Sequence, residues 1–256
     1  MSEESKAIVP ITASFRALSK ASELGEIVKA NFGSEGISIF DLERIVLGSG
    51  GAQTFRIIDG LGESSADNFE AVICFMRSGR TWWETAYGEG GGDSPPDCSS
   101  DDLMTGIGNN GNSSDHGPHD CATCPNNAWG SDRKGGIGKD CKETKTLFLL
   151  RHGREEDIFP SILVVPPGSL RGFARYMTAI TSRGLAFYAA MHRFSLGKAQ
   201  NKGGTAYSTL KVELVRELAD GEKSSLIEYA KALREPFTGV RASQADVSGG
   251  GSDGAG

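Results

Sequence analysis

The stretch Phe69–Trp83, FEAVICFMRSGRTWW, sets the class of fold. It is rich in Val, Ile, Phe and Trp and reads as a strand, and the same texture recurs upstream at residues 43–47 and 54–58, with Gly, Ser and Asp clusters between. Downstream, residues 146–151 and 162–165 read as strands, and Pro166, Pro167, Gly168 and Ser169 make a turn into a helix over 170–182, with Ser169 as its N-cap. Two more strands, 185–196 and 206–215, flank a polar hairpin loop. Apolar positions at Phe15, Leu18, Leu24, Ile27 and Val28, followed by Gly33, predict a helix over 12–31, and a last helix is predicted over 220–233. The chain therefore divides into an N-terminal helical segment (1–36), a β domain (37–218), a C-terminal helix (219–241) and a Gly- and Ser-rich tail (242–256) too poor in apolar residues to order itself. The class is β-rich α+β.

Residues 88–143 interrupt the β domain with Gly, Ser, Asn and Asp, a loop too long for a compact domain unless something else organises it. Four of the five cysteines fall here: Cys98, Cys121, Cys124 and Cys141. Two thiolates in a C-x-x-C turn reach one tetrahedral ion, and four close its coordination sphere, so the spacing predicts a structural zinc site whose ligation replaces missing hydrophobic burial. His116 or His119 could substitute for Cys98, and Cys74 stands apart in an apolar run. Asp97, Asp101 and Asp102 could hold a hard metal, but read better as a hydrogen-bonded loop.

Composition narrows the function classes. The net charge is −6, yet residues 132–216 carry 15 Lys and Arg against 7 Asp and Glu, a polarity along the chain that suits a polyanion-binding face. No run of about 18 apolar residues occurs and the acidic start lacks the order of a signal peptide, so the expectation is a soluble, cytoplasmic protein with no membrane contact. No enzyme motif is present. Gly138-Lys139 fails as a phosphate-binding loop because Arg133 and Asp140 stand where Gly and Ser or Thr are needed, and His152 and His192 are isolated.

Single-strand binders combine a basic groove with aromatics on which bases stack, each stack contributing roughly 1–3 kcal/mol. The candidates are Arg77, Arg80, Trp82, Trp83 and Tyr87 around the long strand, Trp129, Lys139 and Lys145 in and after the cysteine loop, Arg171 and Arg175 on one helix face, and Phe187, Arg193, Lys198, Lys202, Tyr207 and Lys211 in the late hairpin. Strand alternation puts Trp82 and Trp83 on opposite faces, leaving one free to face solvent.

The strings PDCSSDD (96–102), CATCPNNAWGS (121–131), GIGKDCK (136–142) and ILVVPPGSLRGFARY (162–176) resemble a family of small phage and mobile-element proteins that bind single-stranded DNA in replication and recombination. The resemblance spans residues 69–215. It implies an OB-like antiparallel barrel with an inserted zinc loop, the same four cysteine ligands, single-stranded DNA as partner, and replication or recombination proteins as further partners. The strongly acidic tail common in such proteins is absent, only Asp246 and Asp253 remaining. The alternatives are a zinc-stabilised protein-interaction module and an enzyme of nucleic-acid metabolism.

Overall fold

A computed structural model describes residues 15–34, 37–85, 94–111, 116–133, 135–201, 204–237 and 240–248. Its strands are β1 (Arg44–Leu47), β2 (Phe55–Asp59), β3 (Gly62–Ala66), β4 (Asn68–Trp82), β5 (Cys98–Ser100), β6 (Thr105–Gly108), β7 (His119–Asp120), β8 (Lys142–Arg151), β9 (Ser161–Val165), β10 (Ala190–Gln200) and β11 (Ala206–Glu217). The helices are α1 (Arg16–Ser19), α2 (Leu24–Phe32), α3 (Pro167–Thr181), α4 (Asp220–Leu233) and α5 (Gln244–Ser248). The β-rich α+β class is what the strand texture led us to expect.

All the strands join one sheet in the order β3-β2-β1-β9-β8-β4-β5-β6-β7, with the β10–β11 hairpin branching from β4. Strand β4 is the spine. One edge pairs with β8 along residues 71–81, while the other is divided between β10 at 68–72 and β5 at 80–82. Because that edge feeds two separate groups of strands, the sheet forks instead of returning on itself, and no ladder among the described residues closes the expected barrel. The sheet is nevertheless strongly coiled: Phe69 of β4 lies 5.1 Å from Phe55 of β2, although β8, β9 and β1 intervene in the ladder. Across the open side, Ser208 Oγ of β11 sits 2.6 Å from the carbonyl oxygens of both Gly48 and Ala52.

Side-chain alternation gives the sheet two apolar faces. The concave face gathers Ile45, Leu47, Phe55, Phe69, Ile73, Leu147, Leu149, Leu163, Phe194 and Leu210, and α3 plugs it with Phe173. The convex face gathers Val72, Cys74, Trp83, Phe148, Leu150 and Val164 beneath α1, α2 and α4. An irregularity of register between Ile73 and Phe75 makes β4 change phase, so that Phe75 belongs to the convex side and Met76 to the concave one.

Several local expectations shift. The N-terminal helix is two short helices with a 3-10 turn between them, and Ser19 Oγ donates back to the Arg16 carbonyl at the break. Helix α3 starts at Pro167 behind Pro166, and Ser169, inside its first turn, instead accepts the Leu210 N–H at 2.9 Å and ties the helix to β11. The strand expected from 185 starts at Ala190 after a 3-10 turn, and β3 was not foreseen. Helix α4 has the predicted limits.

The start of the tail is ordered. Val240, Ala242, Ser243, Gln244, Asp246 and Val247 are buried, and α5 forms there. Asp246 lies 3.8 Å from the buried Arg44 and accepts from the Ser243 backbone N–H and hydroxyl. Composition alone could not show this, because the partners lie far away in sequence. Residues 249–256 are outside the described residues.

Candidate metal centre and nucleic-acid face

Each cysteine is placed by local backbone bonding. Cys98 opens β5 opposite Trp82 and Gly108. The Cys121 N–H donates to the Met104 carbonyl at 2.7 Å, and Asn127 Nδ2 donates to the Cys121 carbonyl at 2.6 Å. Cys124 precedes a 3-10 turn, Pro125–Asn127, whose Asn126 carbonyl receives the Cys141 N–H at 2.8 Å. Through these links four cysteines from three separate pieces of chain line one cavity of about 20 Å3, shared with Arg80, Trp82, Gly106 and His119. A side chain at position 106 would put its Cβ 3.1 Å from Cys98 Sγ and 3.6 Å from Cys121 Sγ, so glycine makes room for the sulfurs.

Burial, then the neighbouring Cys121 and Cys124, pushes the Cys98 thiol up to about 11, and burial with Cys121, Cys124 and Cys98 pushes Cys141 up to about 12. The thiols thus sit close enough to oppose one another's ionisation, the condition a divalent cation relieves. Among the described residues no group of three or more His, Cys, Asp and Glu side chains is arranged to hold a metal as it stands. The cavity brings the four sulfurs together short of a formed cage, and a soft, all-thiol set of four is the donor set of structural zinc. His116 is exposed and His119 Nε2 lies 3.0 Å from the Gly108 carbonyl oxygen.

The aspartates of this module are structural. Asp97 accepts the Glu84 N–H, Asp101 pairs with Arg241 at 2.7 Å, and Asp102 accepts from Thr105 N–H, Met104 N–H and the Ser100 hydroxyl, bonds that hold its carboxyl down to about 2.

The nucleic-acid candidates separate into two groups. Trp82 and Trp83 do point to opposite faces, but both are buried, so neither offers a stacking surface. Trp83 belongs to the convex core. Trp82 is covered by the cysteine module: its Nε1 donates to Asp140 at 2.6 Å, Arg133 lies over its ring at 5.4 Å, and Gly111, at φ +71°, comes so close that a Cβ there would be 2.6 Å from the indole. Arg77 is also committed, bonding the Phe237 and Val240 carbonyls, as is Arg80, bonding the Leu103 carbonyl and lying 3.4 Å from Glu143. Lys145 donates to Ser78 and Arg193 pairs with Glu70 at 2.6 Å. Tyr207 is half-buried, while Tyr87 and Lys202 are outside the described residues.

Trp129 is 66% exposed, with the Lys139 ammonium 5.2 Å over its ring. Arg171, Arg175, Lys198 and Lys211 are exposed and enter no ion pair among the described residues. Arg183 shares this state and was missed. The signal that finds it is an absence: between Asp157 and Glu213 the sequence has no acidic residue, while Arg171, Arg175, Arg183, Arg193, Lys198, Lys202 and Lys211 fall within it. That stretch folds into β9, α3, β10 and β11, with α3 packed against β11. The isolated histidines are accounted for: His152 is exposed beside Glu155 at 2.7 Å, and the buried His192 lies 2.6 Å from the Tyr176 hydroxyl and 2.7 Å from the Phe187 carbonyl oxygen. Among the described residues no helix is long and apolar enough to cross a membrane. No protein-family model, no curated protein and no solved structure matches the chain.

Proposed function

We propose that this is a non-enzymatic, cytoplasmic protein that binds single-stranded nucleic acid, DNA by the resemblance of its motifs, in phage or mobile-element replication and recombination. Zinc held by Cys98, Cys121, Cys124 and Cys141 would order the long insertion, supplying structure and no chemistry. The observation that carries the reading is the acid-free stretch, which presents Arg171, Arg175, Arg183, Lys198 and Lys211 to solvent without carboxylate partners. Unpaired surface cations are what a phosphate backbone recruits, with counterion release driving the association. Trp129 beside Lys139 is the remaining stacking candidate.

The test is fluorescence anisotropy of labelled oligo-dT across a salt series, with duplex of equal length as competitor. Tight, salt-sensitive binding that duplex fails to displace is expected. Absence of binding at low salt overturns the reading.

A second reading, a zinc-stabilised protein-interaction module, is favoured by the exposed Met104, Ile107, Trp129 and Ile137, all on the cysteine insertion. It predicts no salt-dependent oligonucleotide affinity and loss of partner capture when these side chains are made polar.

A further inference from the structure

Four thiolates around one divalent cation leave two negative charges over, and a half-buried site bears that excess best where the protein sets donors and positive charge beside the sulfurs. Among the described residues lining the cysteine cavity, Arg80 alone is permanently cationic. Its place follows from the sheet. Arg80 stands two residues before Trp82 on the same face of β4, opposite Ser100 of β5 and Glu143 of β8. Cys98 opens β5 and Cys141 immediately precedes β8, so Arg80 is flanked by the two strands at whose starts these cysteines stand.

The guanidinium has one donor to spare. Two of its nitrogens reach the Leu103 carbonyl and Glu143, the latter at 3.4 Å, a long contact to a carboxylate that is itself 43% exposed. Its Nε is buried and has no acceptor among the described residues. That nitrogen can only donate, and a buried donor left over in a native protein signals an acceptor that completes it. Neutral thiols accept weakly, whereas the thiolates of a loaded site accept a charge-assisted bond. The charge of Arg80 also reaches the ligands: burial, then Cys121, Cys124 and Cys98, oppose ionisation of Cys141, and Arg80 favours it.

We infer that Arg80 is the positioning cation of the thiolate cluster: its guanidinium offsets the excess negative charge of the four ligands and its Nε donates to one of their sulfurs. The inference rests on the zinc reading above and adds to it the residue of β4 on which tight loading depends.

Cobalt(II), added to the full chain under reducing conditions, is the probe, because sulfur-to-cobalt charge transfer gives a band whose energy follows the electron density on the sulfurs. The wild-type chain should take up one equivalent and show the band; its absence defeats the zinc reading and the inference with it. Arg80→Gln should bind cobalt about 10- to 100-fold more weakly in competition with a chelator. Its band should move to longer wavelength, since sulfurs deprived of a donor and a positive charge give up electron density more readily. Glu143→Gln separates this from a role in holding the strands together, because it breaks the ion pair but leaves Arg80 to the sulfurs. It should bind cobalt at least as tightly as the wild-type chain, with no shift to longer wavelength. Wild-type affinity and band in a folded Arg80→Gln chain, or a loss of affinity in Glu143→Gln equal to that in Arg80→Gln, overturns the inference and leaves the zinc reading standing.

Discussion

Neutralising Arg171 and Arg175 together is the most informative perturbation of the proposed binding face. Both are exposed on α3, one turn apart, and neither makes an ion pair among the described residues, so Arg171→Gln/Arg175→Gln should leave folding intact to within about 0.5 kcal/mol. If each of Arg171, Arg175, Arg183, Lys198 and Lys211 meets one phosphate, the logarithm of the binding constant should fall against the logarithm of salt with a slope of about −3.5. Removing two contacts reduces that slope to about −2.1. Between 50 and 200 mM salt the wild-type affinity should then drop about 130-fold and the variant's about 18-fold, a difference that anisotropy titration of oligo-dT measures easily. Arg56→Gln is the control, because Arg56 is already paired with Glu63 at 2.6 Å between β2 and β3. A double variant with the wild-type slope would show that the strand does not cross α3, and a change half as large in the control, which removes one charge instead of two, would show that only net charge matters.

Three further outcomes are expected. Cys124→Ser should release one equivalent of zinc, measured by elemental analysis, and make the insertion between β4 and β8 protease-sensitive; unchanged resistance would contradict metal as its organiser. Phe194→Ala should cost about 3–5 kcal/mol in denaturant unfolding, since the ring is fully buried and stacked on Phe69 at 5.0 Å. Burial alone would raise the Glu43 carboxyl, but hydrogen bonds from Arg151 and Ser161 and the charges of Arg151 and Arg154 bring it below its ordinary 4.5. Its contribution is therefore fully present above about pH 4.5 and is lost as pH falls through the lower folded value, so Glu43→Gln should flatten the acid limb of stability against pH.

What could be read from the residues depended on how local the determinants are. Helix α4 was legible because its apolar spacing is internal to it, and the long β4 because its composition declares it. The gathering of four cysteines was legible too, since the C-x-x-C turn and its glycine-rich surroundings leave few other uses for the thiols. Alternation placed Trp82 and Trp83 on opposite faces but said nothing of their cover, and the cover of Trp82 is Gly111, Arg133 and Asp140, supplied by the insertion. The ordered start of the tail was illegible for the same reason: Asp246 is accounted for by Arg44, two hundred positions upstream. The fork in the sheet follows from β5 taking the far half of one edge of β4, a pairing that three residues of sequence cannot announce.

These placements decide which mode of binding the proposed function would use. With Trp82 and Trp83 withdrawn into the protein and Arg77 and Arg80 spent on the C-terminal segment and the insertion, the tryptophan and arginine side chains of β4 have structural roles. Trp82 is the point where the insertion grips the sheet, and Asp140 that holds it is next to Cys141, so the thiol cluster and the cover over Trp82 are built on adjacent residues. The exposed cations sit elsewhere, on α3 and the β10–β11 hairpin, and are joined to the sheet through Ser169 and Ser208. A face built from cations with a single exposed tryptophan on a separate module engages the phosphate backbone more than the bases. Such a protein should hold strands of any sequence, with affinity governed by salt and by the length of strand that spans α3 and the hairpin.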